Sequence, residues 1–205
     1  MRVRDSAGQL GFSQRILYLI NFWRINDAFQ DIKANKPWGG AFALVICASL
    51  VNLAFELMHT MPEAGGVFFL LGYFLGSGIA LLFNFALFFA VGGLFHLLMK
   101  GFGGEADLET TLIVYGYTHL YLIMEAAATG LLRFFTEKQA ILFPTSVTLG
   151  FLLPILALIG GLTKTHELVM YKTTIAVALG EAIIIAFAVT LGVLIAVTLK
   201  SLGIM

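Results

Sequence analysis

Residues 103–133 read GGEADLETTLIVYGYTHLYLIMEAAATGLLR, and this stretch decides how the chain can fold. It begins as an acidic loop led by two glycines and passes without a break into an apolar run that contains His119 and Glu125. A carboxylate at the centre of a membrane costs about 2.5–3.5 kcal/mol on insertion scales. If this run crosses a membrane, Glu125 therefore needs a partner from another helix or a function of its own.

The composition of the 205-residue chain is that of an integral membrane protein. Hydrophobic residues make up 60% and charged residues 12%, and the mean hydropathy is +0.95. Soluble domains average about 45–50% apolar and about 25% charged residues. The 12 basic and 12 acidic residues balance, so the charge shows no bias toward nucleic acid. We expect one membrane domain, covered by lipid, without a bound cofactor.

Five apolar runs are long enough to cross a bilayer as helices, which need about 20 residues each. We therefore expect an all-α bundle of five transmembrane helices, with spans at about residues 38–58, 67–99, 111–132, 140–163 and 173–199. The second run would be about 50 Å long, beyond a hydrocarbon core of about 30 Å, so it must tilt, bend or project. Pro154 is expected to kink the fourth span.

Residues 1–37 form the polar part of the chain and predict two amphipathic helices. Apolar residues recur at helical spacing in residues 12–23 and again in residues 25–32. Such helices either lie at the membrane surface, with Trp23 at headgroup level, or pack on the protein's own spans. The pattern leaves both alternatives open. Lys36-Pro37 should end the second helix, because the residue before proline avoids the helical region.

The distribution of Lys and Arg predicts the orientation. Six of them lie in residues 1–36, whereas the next four connections carry none, one, two and two, and the C-terminal tail carries one. If the N-terminus is cytoplasmic, nine basic residues face the cytoplasm and three face the other side. We therefore expect a cytoplasmic N-terminus and a C-terminus on the opposite side.

Glu125 is the first of two candidate functional carboxylates inside predicted spans. It shares a helix face with Tyr121, whereas His119 is about 120° around the helix and should not pair with it. A partner must come from another span, and the polar candidates there are Glu181, Asn84, Asn52 and His96.

Glu181, in the fifth predicted span, is the second candidate functional carboxylate. Two buried carboxylates without a nearby Lys or Arg share a proton or bind a cation, so we expect at least one to be neutral at pH 7. Two interpretations stay open for Glu125 and Glu181. They are hydrogen-bonded groups that hold helices together, or they form an ion, proton or polar-substrate site in the bundle interior.

No motif of metal or hydrolytic chemistry occurs in the sequence. The acidic loop of Glu105, Asp107 and Glu109 lacks the ligand spacing of a strong calcium site and is typical of a solvated loop. Within it, Asp107 or Thr110 is expected to cap the next helix. His166-Glu167 is not followed by the second histidine of a zinc-peptidase motif. We expect no catalytic residues, no metal site and no enzymatic activity.

Gly72 and Gly76 form a small-xxx-small pair in the second predicted span. Such pairs let a second helix approach closely. This face predicts a homo-oligomer, most simply a symmetric dimer.

Three parts of the chain resemble the Yip-domain membrane family. Ala28-Phe29 through Lys36-Pro37 resembles its pre-membrane helix, and Gly103-Gly104 followed by Gly116-Tyr117 resembles its glycine loop and third span. Residues 160–172, which include His166-Glu167-Leu168, resemble the turn before its last span. The eukaryotic members are known as Rab-GTPase-interacting proteins. Their Asp-Leu-Tyr-Gly-Pro-type motif is absent here, so the chain looks like a prokaryotic member.

The resemblance implies a non-enzymatic protein of five spans, in the cytoplasmic membrane of a prokaryote. Its expected function is to organise the membrane or to bind a protein partner through the N-terminal helices and the glycine faces. The alternative from a different class is a small transporter, or an ion, proton or lipid pathway, that uses Glu125 and Glu181.

Overall fold

The protein was analysed as a computed structural model, which describes residues 9–21, 23–60, 67–136 and 138–202. Residues 1–8 of the predicted N-terminal segment and the predicted loop at residues 61–66 lie outside these ranges. Within them all regular secondary structure is helical, which confirms the all-α prediction. The α-helices are α1 (Phe12–Ile20), α2 (Ile25–Asn35), α3 (Trp38–Thr60), α4 (Val67–Gly101), α5 (Leu108–Phe135), α6 (Gln139–Ser146), α7 (Leu153–His166) and α8 (Met170–Ser201).

Among the described residues, four helical stretches are long and apolar enough to cross a membrane. They are α3, α4, the continuous unit from α6 to α7, and α8. Helix α5, at 28 residues, is long enough but more polar, because it contains His119, Glu125 and several threonines and tyrosines. These findings confirm an all-α, multi-pass membrane protein. A fifth crossing by α5 stays a prediction.

Helix α5 is the centre of the bundle, and it packs against α2, α3, α4, α6 and α7. A Cβ atom at Gly116 would lie 2.7 Å from Ala41 Cβ, and one at Gly130 would lie 2.4 Å from the Phe55 ring. Since Ala41 and Phe55 are as far apart in sequence as Gly116 and Gly130, helices α3 and α5 run parallel. The glycines let the two helices touch along most of their length.

Helices α1 and α2 form an antiparallel hairpin against the bundle. Asp31 near the end of α2 accepts hydrogen bonds from Leu10 N at 3.0 Å and from Arg15 Nε at 2.5 Å, so the start of α1 lies beside the end of α2. Ala28, Phe29 and Ile32 on α2 are fully buried. Of the two alternatives for the N-terminal helices, α2 therefore packs on the protein's own spans. It ends at Asn35 before Lys36-Pro37, as predicted.

The distortion predicted at Pro154 takes the form of a π-helical segment, Val147–Leu152, between α6 and α7. A proline ring clashes with the carbonyl four residues earlier, which here belongs to Gly150. The wider π turn moves that carbonyl, so the chain passes from α6 into α7 as one continuous helical unit. Single π turns inside α-helices occur often at functional sites.

Candidate functional site

An ion-pair cluster joins the end of α2 to the start of α5. Lys36 Nζ binds the Asp107 carboxylate and lies 2.8 Å from Glu109 Oε2, while Trp38 Nε1 donates to Glu109 Oε1 at 2.6 Å. Asp107 also caps α5 by accepting from Thr110 N at 2.9 Å, which confirms the predicted cap. We call Lys36, Trp38, Asp107 and Glu109 the Lys36 cluster. The loop expected to be only solvated thus fixes the N-terminal hairpin to the bundle.

Hydrogen bonding shifts the pKa values in the Lys36 cluster. Partial burial alone would raise the pKa of Asp107, but hydrogen bonds from Lys36 and Thr110 outweigh it and hold that pKa well below its usual range. The pKa of Glu109 is lowered by its hydrogen bond from Lys36, and then by that from Trp38. The pKa of Lys36 is raised chiefly by the hydrogen bond to Asp107. All three groups are therefore charged at neutral pH.

A histidine–threonine cluster lies inside the same end of the bundle. Thr111 Oγ1 is 3.1 Å from His96 Nδ1, 2.8 Å from His166 Nε2 and 3.1 Å from the carbonyl oxygen of Asp107. These contacts tie α4, α5 and α7 together through one hydroxyl. His166 Nδ1 is buried without a hydrogen-bond partner among the described residues. A Cβ atom at Gly104 would lie 2.5 Å from this nitrogen, so the glycine loop closes directly over it.

Glu125 has hydrogen bonds, but not from the residues that the sequence suggested. Ser146 Oγ on α6 donates to Glu125 Oε1 at 2.7 Å, and Thr129 Oγ1 lies 3.4 Å from the same oxygen. A Cβ atom at Gly150 would be 2.9 Å from Glu125 Cγ, so the π segment passes closely over the carboxylate side chain. Ser146 and Gly150 are one helical turn apart. This pair of small residues is the sequence signal that could have indicated a contact with Glu125.

Other predicted site residues lie apart from Glu125. Tyr121 donates from its hydroxyl to the Leu19 carbonyl oxygen at 2.7 Å, so it anchors α1 to α5. Asn84 is exposed, and its Nδ2 lies 3.4 Å from Ser49 Oγ. His96 belongs to the histidine–threonine cluster. The predicted set therefore divides among several local environments.

Glu181 lies beside a cavity of about 150 Å³ between α5, α7 and α8. The polar residues that line this cavity with it are Tyr115, Thr118 and His119. Next to Glu181, a Cβ atom at Gly180 would lie 2.6 Å from the Phe95 ring, so α8 packs closely on α4 at this level. The structure thus groups Glu181 with His119, which the periodicity of α5 separates from Glu125.

Two further observations concern metals and oligomers. In the part of the chain that the structure describes, no three His, Cys, Asp or Glu side chains come together in a way that could hold a metal ion. Gly72 and Gly76 on α4 are exposed, and space for a Cβ atom is open at both. The glycine face therefore lies on the surface of the bundle.

The family comparison agrees with this architecture. Residues 20–199 match the family model described as the Yip1 domain, which covers α2 to α8 and the end of α1. Neither the curated proteins nor the solved structures compared with the chain gave a match. The matched region includes the core helix α5 and the long apolar helices around it. The chain therefore belongs to the Yip1-domain family of membrane proteins.

Proposed function

We propose that this protein is a non-enzymatic organiser of the membrane that acts through the outer face of α1. The observation that carries the proposal is a row of exposed apolar side chains on α1 and in the turn that follows it, where α1 itself is firmly held. Leu17 is 63% exposed and Trp23 is 95% exposed, and Phe12 and Ile20 are also exposed. In water such a row would be unfavourable, whereas amphipathic helices of this kind bury their apolar face at the headgroup boundary.

Helix α1 is held by contacts on its opposite face. Leu19 is buried and its carbonyl accepts from Tyr121, while Arg15 and Asp31 form a buried ion pair. Arg24 lies over the Tyr18 ring at 4.1 Å, where its charge can reach lipid phosphates from a position near the surface. The apolar row therefore keeps a fixed orientation relative to the bundle.

The contacts of α1 and α3 with α5 support a position of this row near the membrane boundary. Gly116 lies against Ala41, in the first turn of α3, and Tyr121 is about 7 Å further along α5. With α3 crossing the membrane from Trp38, the end of α1 at Leu19 would lie within about two turns of the start of that span, which supports the proposal. This is the depth at which amphipathic helices and aromatic side chains reside.

Vesicle shape tests this proposal. Full-length protein reconstituted into liposomes at a fixed protein-to-lipid ratio should change the distribution of vesicle diameters, as measured by electron cryomicroscopy. The double substitution Leu17→Ser and Trp23→Ser should remove most of the change, because both side chains are exposed and the fold does not need them. Phe135→Ser, an exposed aromatic residue at the far end of α5, is the matched control. Vesicles equal to protein-free ones, or unaffected by the double substitution, would contradict the proposal.

We further propose that the glycine face of α4 joins two copies of the chain. The support is that Gly72 and Gly76 lie one turn apart with open space above both. Crosslinking in membranes should give a dimer that Gly76→Leu abolishes. Gly78→Leu is the control, because Gly78 is also open but lies on a different side of the helix. Equal crosslinking in both variants would exclude this face. The outer surface of α1 is where we expect a protein partner other than the chain itself.

The proposed topology has five spans, a cytoplasmic N-terminus and an outside C-terminus, in the cytoplasmic membrane of a prokaryote. The support is the excess of Lys and Arg in residues 1–36, together with the parallel course of α3 and α5. Cysteine labelling tests it in a Cys47→Ala background. A cysteine at Ser201 should react with an impermeant reagent from outside, and one at Lys33 should react only after lysis. The reverse pattern would overturn the orientation.

The second candidate function is transport of an ion, a proton or a lipid past Glu125 and Glu181. The cavity beside Glu181 is the observation that favours it. Flux in proteoliposomes decides between the two functions. Transport predicts flux that Glu181→Gln and Glu125→Gln reduce, whereas the organiser predicts no flux above that of empty vesicles.

A further inference from the structure

The cavity beside Glu181 is lined differently from the rest of the bundle interior. Its apolar wall includes Phe151, Pro154 and Leu158, and its polar side chains converge from α5 and α8. At about 150 Å³ it holds about five water volumes, which is below the size of a typical drug pocket. A group of three to five heavy atoms fits this space.

The Glu181 carboxylate has no counter-charge in this cavity. Among the described residues it receives no hydrogen bond and forms no ion pair, and it is half-buried and lines the cavity. Lysine and arginine are absent from the lining. A carboxylate inside a membrane is costly unless something pairs with it. The cavity therefore offers a carboxyl group without a protein partner among the described residues.

His119 adds an acceptor to the same cavity. Its Nδ1 lies 3.0 Å from the carbonyl oxygen of Tyr115, which can only accept, so Nδ1 carries the hydrogen. In the neutral imidazole, Nε2 is then a lone-pair acceptor, and no described residue donates to it. The ring is held edge-on by Tyr115 and Phe88 at centroid distances of 5.1 and 5.9 Å. This packing holds the ring beside the cavity that His119 lines.

One wall of the cavity lies at the outer surface of the bundle. Phe151 is 49% exposed and lines the cavity, and it lies on a helical unit long and apolar enough to cross the membrane. A ligand can therefore enter from the acyl-chain or headgroup region between the π segment and α8. Tyr115 also contributes an aromatic ring, which attracts a cation through its face.

From these features we infer that the cavity binds a primary ammonium group, with Glu181 as its counter-ion and His119 Nε2 as a second acceptor. The three N–H donors of an ammonium group match a carboxylate and an imidazole nitrogen, whereas a quaternary ammonium group has no N–H to give. The group can belong to an aminophospholipid headgroup or to a soluble amine. This site is independent of the α1 surface, and it requires no transport.

Native mass spectrometry of the full-length protein tests the lipid source. The protein is released from nanodiscs that contain equal amounts of phosphatidylethanolamine and phosphatidylcholine with identical chains. We expect phosphatidylethanolamine to be retained about tenfold in excess, and Glu181→Gln to bring the ratio to about one, because a charge-assisted hydrogen bond is lost. Glu125→Gln is the matched control, since it changes a second intramembrane carboxylate that does not line the cavity. The Glu125→Gln variant should still retain phosphatidylethanolamine in excess over phosphatidylcholine.

Thermal unfolding in phospholipid-free detergent tests the soluble source. Ethanolammonium chloride should raise the melting temperature of the wild type more than tetramethylammonium chloride does, and Glu181→Gln should lose the difference. A positive result only in mass spectrometry assigns the ammonium group to a lipid headgroup, and a positive result only in thermal unfolding assigns it to a soluble amine. If Glu181→Gln fails to fold, His119→Phe keeps the ring packing, removes the acceptor and should weaken the preference severalfold. Equal retention of both lipids together with equal effects of both salts overturns the inference, as does a preference that survives Glu181→Gln.

Discussion

At the scale of single residues, a local hydrogen bond satisfies the carboxylate that α5 carries among apolar side chains. Glu125 receives its hydrogen bond from Ser146, on the helix that follows α5 in the chain. The Ser146 hydroxyl and the glycine at position 150 together leave room for the carboxylate and satisfy one of its oxygens. A single polar contact between two helices thus explains much of why Glu125 is tolerated in the bundle.

We predict that Ser146→Ala destabilises the protein, because it leaves a partly buried carboxylate oxygen without its short hydrogen bond. The expected loss is about 1–3 kcal/mol, read as a lower midpoint of thermal unfolding in detergent. Thr145→Ala is the control, since among the described residues the Thr145 hydroxyl bonds to the Ile141 carbonyl of its own helix and to no other group. Equal midpoints for the two variants would show that the bond to Glu125 adds no stability.

The absence of a side chain at Gly104 is a second requirement at this scale. We predict that Gly104→Ala costs about 1–3 kcal/mol, because its Cβ atom would lie 2.5 Å from His166 Nδ1 and 2.9 Å from the carbonyl oxygen of Met99. Gly101→Ala, where nothing lies within 4 Å, should be neutral. Denaturant titration of both variants checks this. A neutral Gly104→Ala would show that the loop relaxes away from His166 without loss.

At the scale of elements, several features of the fold follow from local sequence chemistry. Lys36-Pro37 ends α2, Asp107 caps α5, and Pro154 distorts the fourth long helical unit. Each of these depends on residues within one turn of each other, so sequence alone predicts them. The contact of Tyr121 with Leu19 joins positions 102 residues apart, and no periodicity in either segment indicates it. The packing of α1 on α5 therefore required the structure.

The Lys36 cluster makes the docking of α2 sensitive to acid. The pKa values of Asp107 and Glu109 are lower in the folded state than in the unfolded chain, where they are about 4. Their contribution to stability is therefore complete above about pH 4 and is lost as the pH falls through the folded-state values. We predict that the protection factors of the α2 amides in hydrogen exchange, taken relative to the intrinsic rate at each pH, fall over this range.

Lys36→Met should lower the protection of α2 at pH 7 and flatten its dependence on pH, because the shared cation is gone. Lys138→Met is the control, since the described residues give the Lys138 side chain no ion pair. If both variants show the wild-type pH profile, the Lys36 cluster does not hold the hairpin.

At the scale of the whole molecule, α5 is a polar core helix surrounded by more apolar ones. The composition of the chain predicts the membrane class, and the five apolar runs predict where the long helices lie. Sequence patterns on a single helix did not predict the candidate site, because Glu181 and His119 come together only when α5, α7 and α8 pack. Glu125 and Glu181 have the same side chain, but one is bonded to a neighbour and the other faces a cavity. Only the packing of helices distinguishes them.

The central claim is that α1 is fixed to the bundle with its apolar row in the membrane boundary. The most direct measurement is quenching of Trp23 fluorescence in liposomes by lipids brominated at different chain positions. The contribution of Trp38, the second tryptophan, is obtained from the Trp23→Phe variant. We predict strong quenching by bromines near the headgroup and weaker quenching by bromines at the chain ends. Quenching by aqueous iodide together with no effect of brominated lipids would contradict the account.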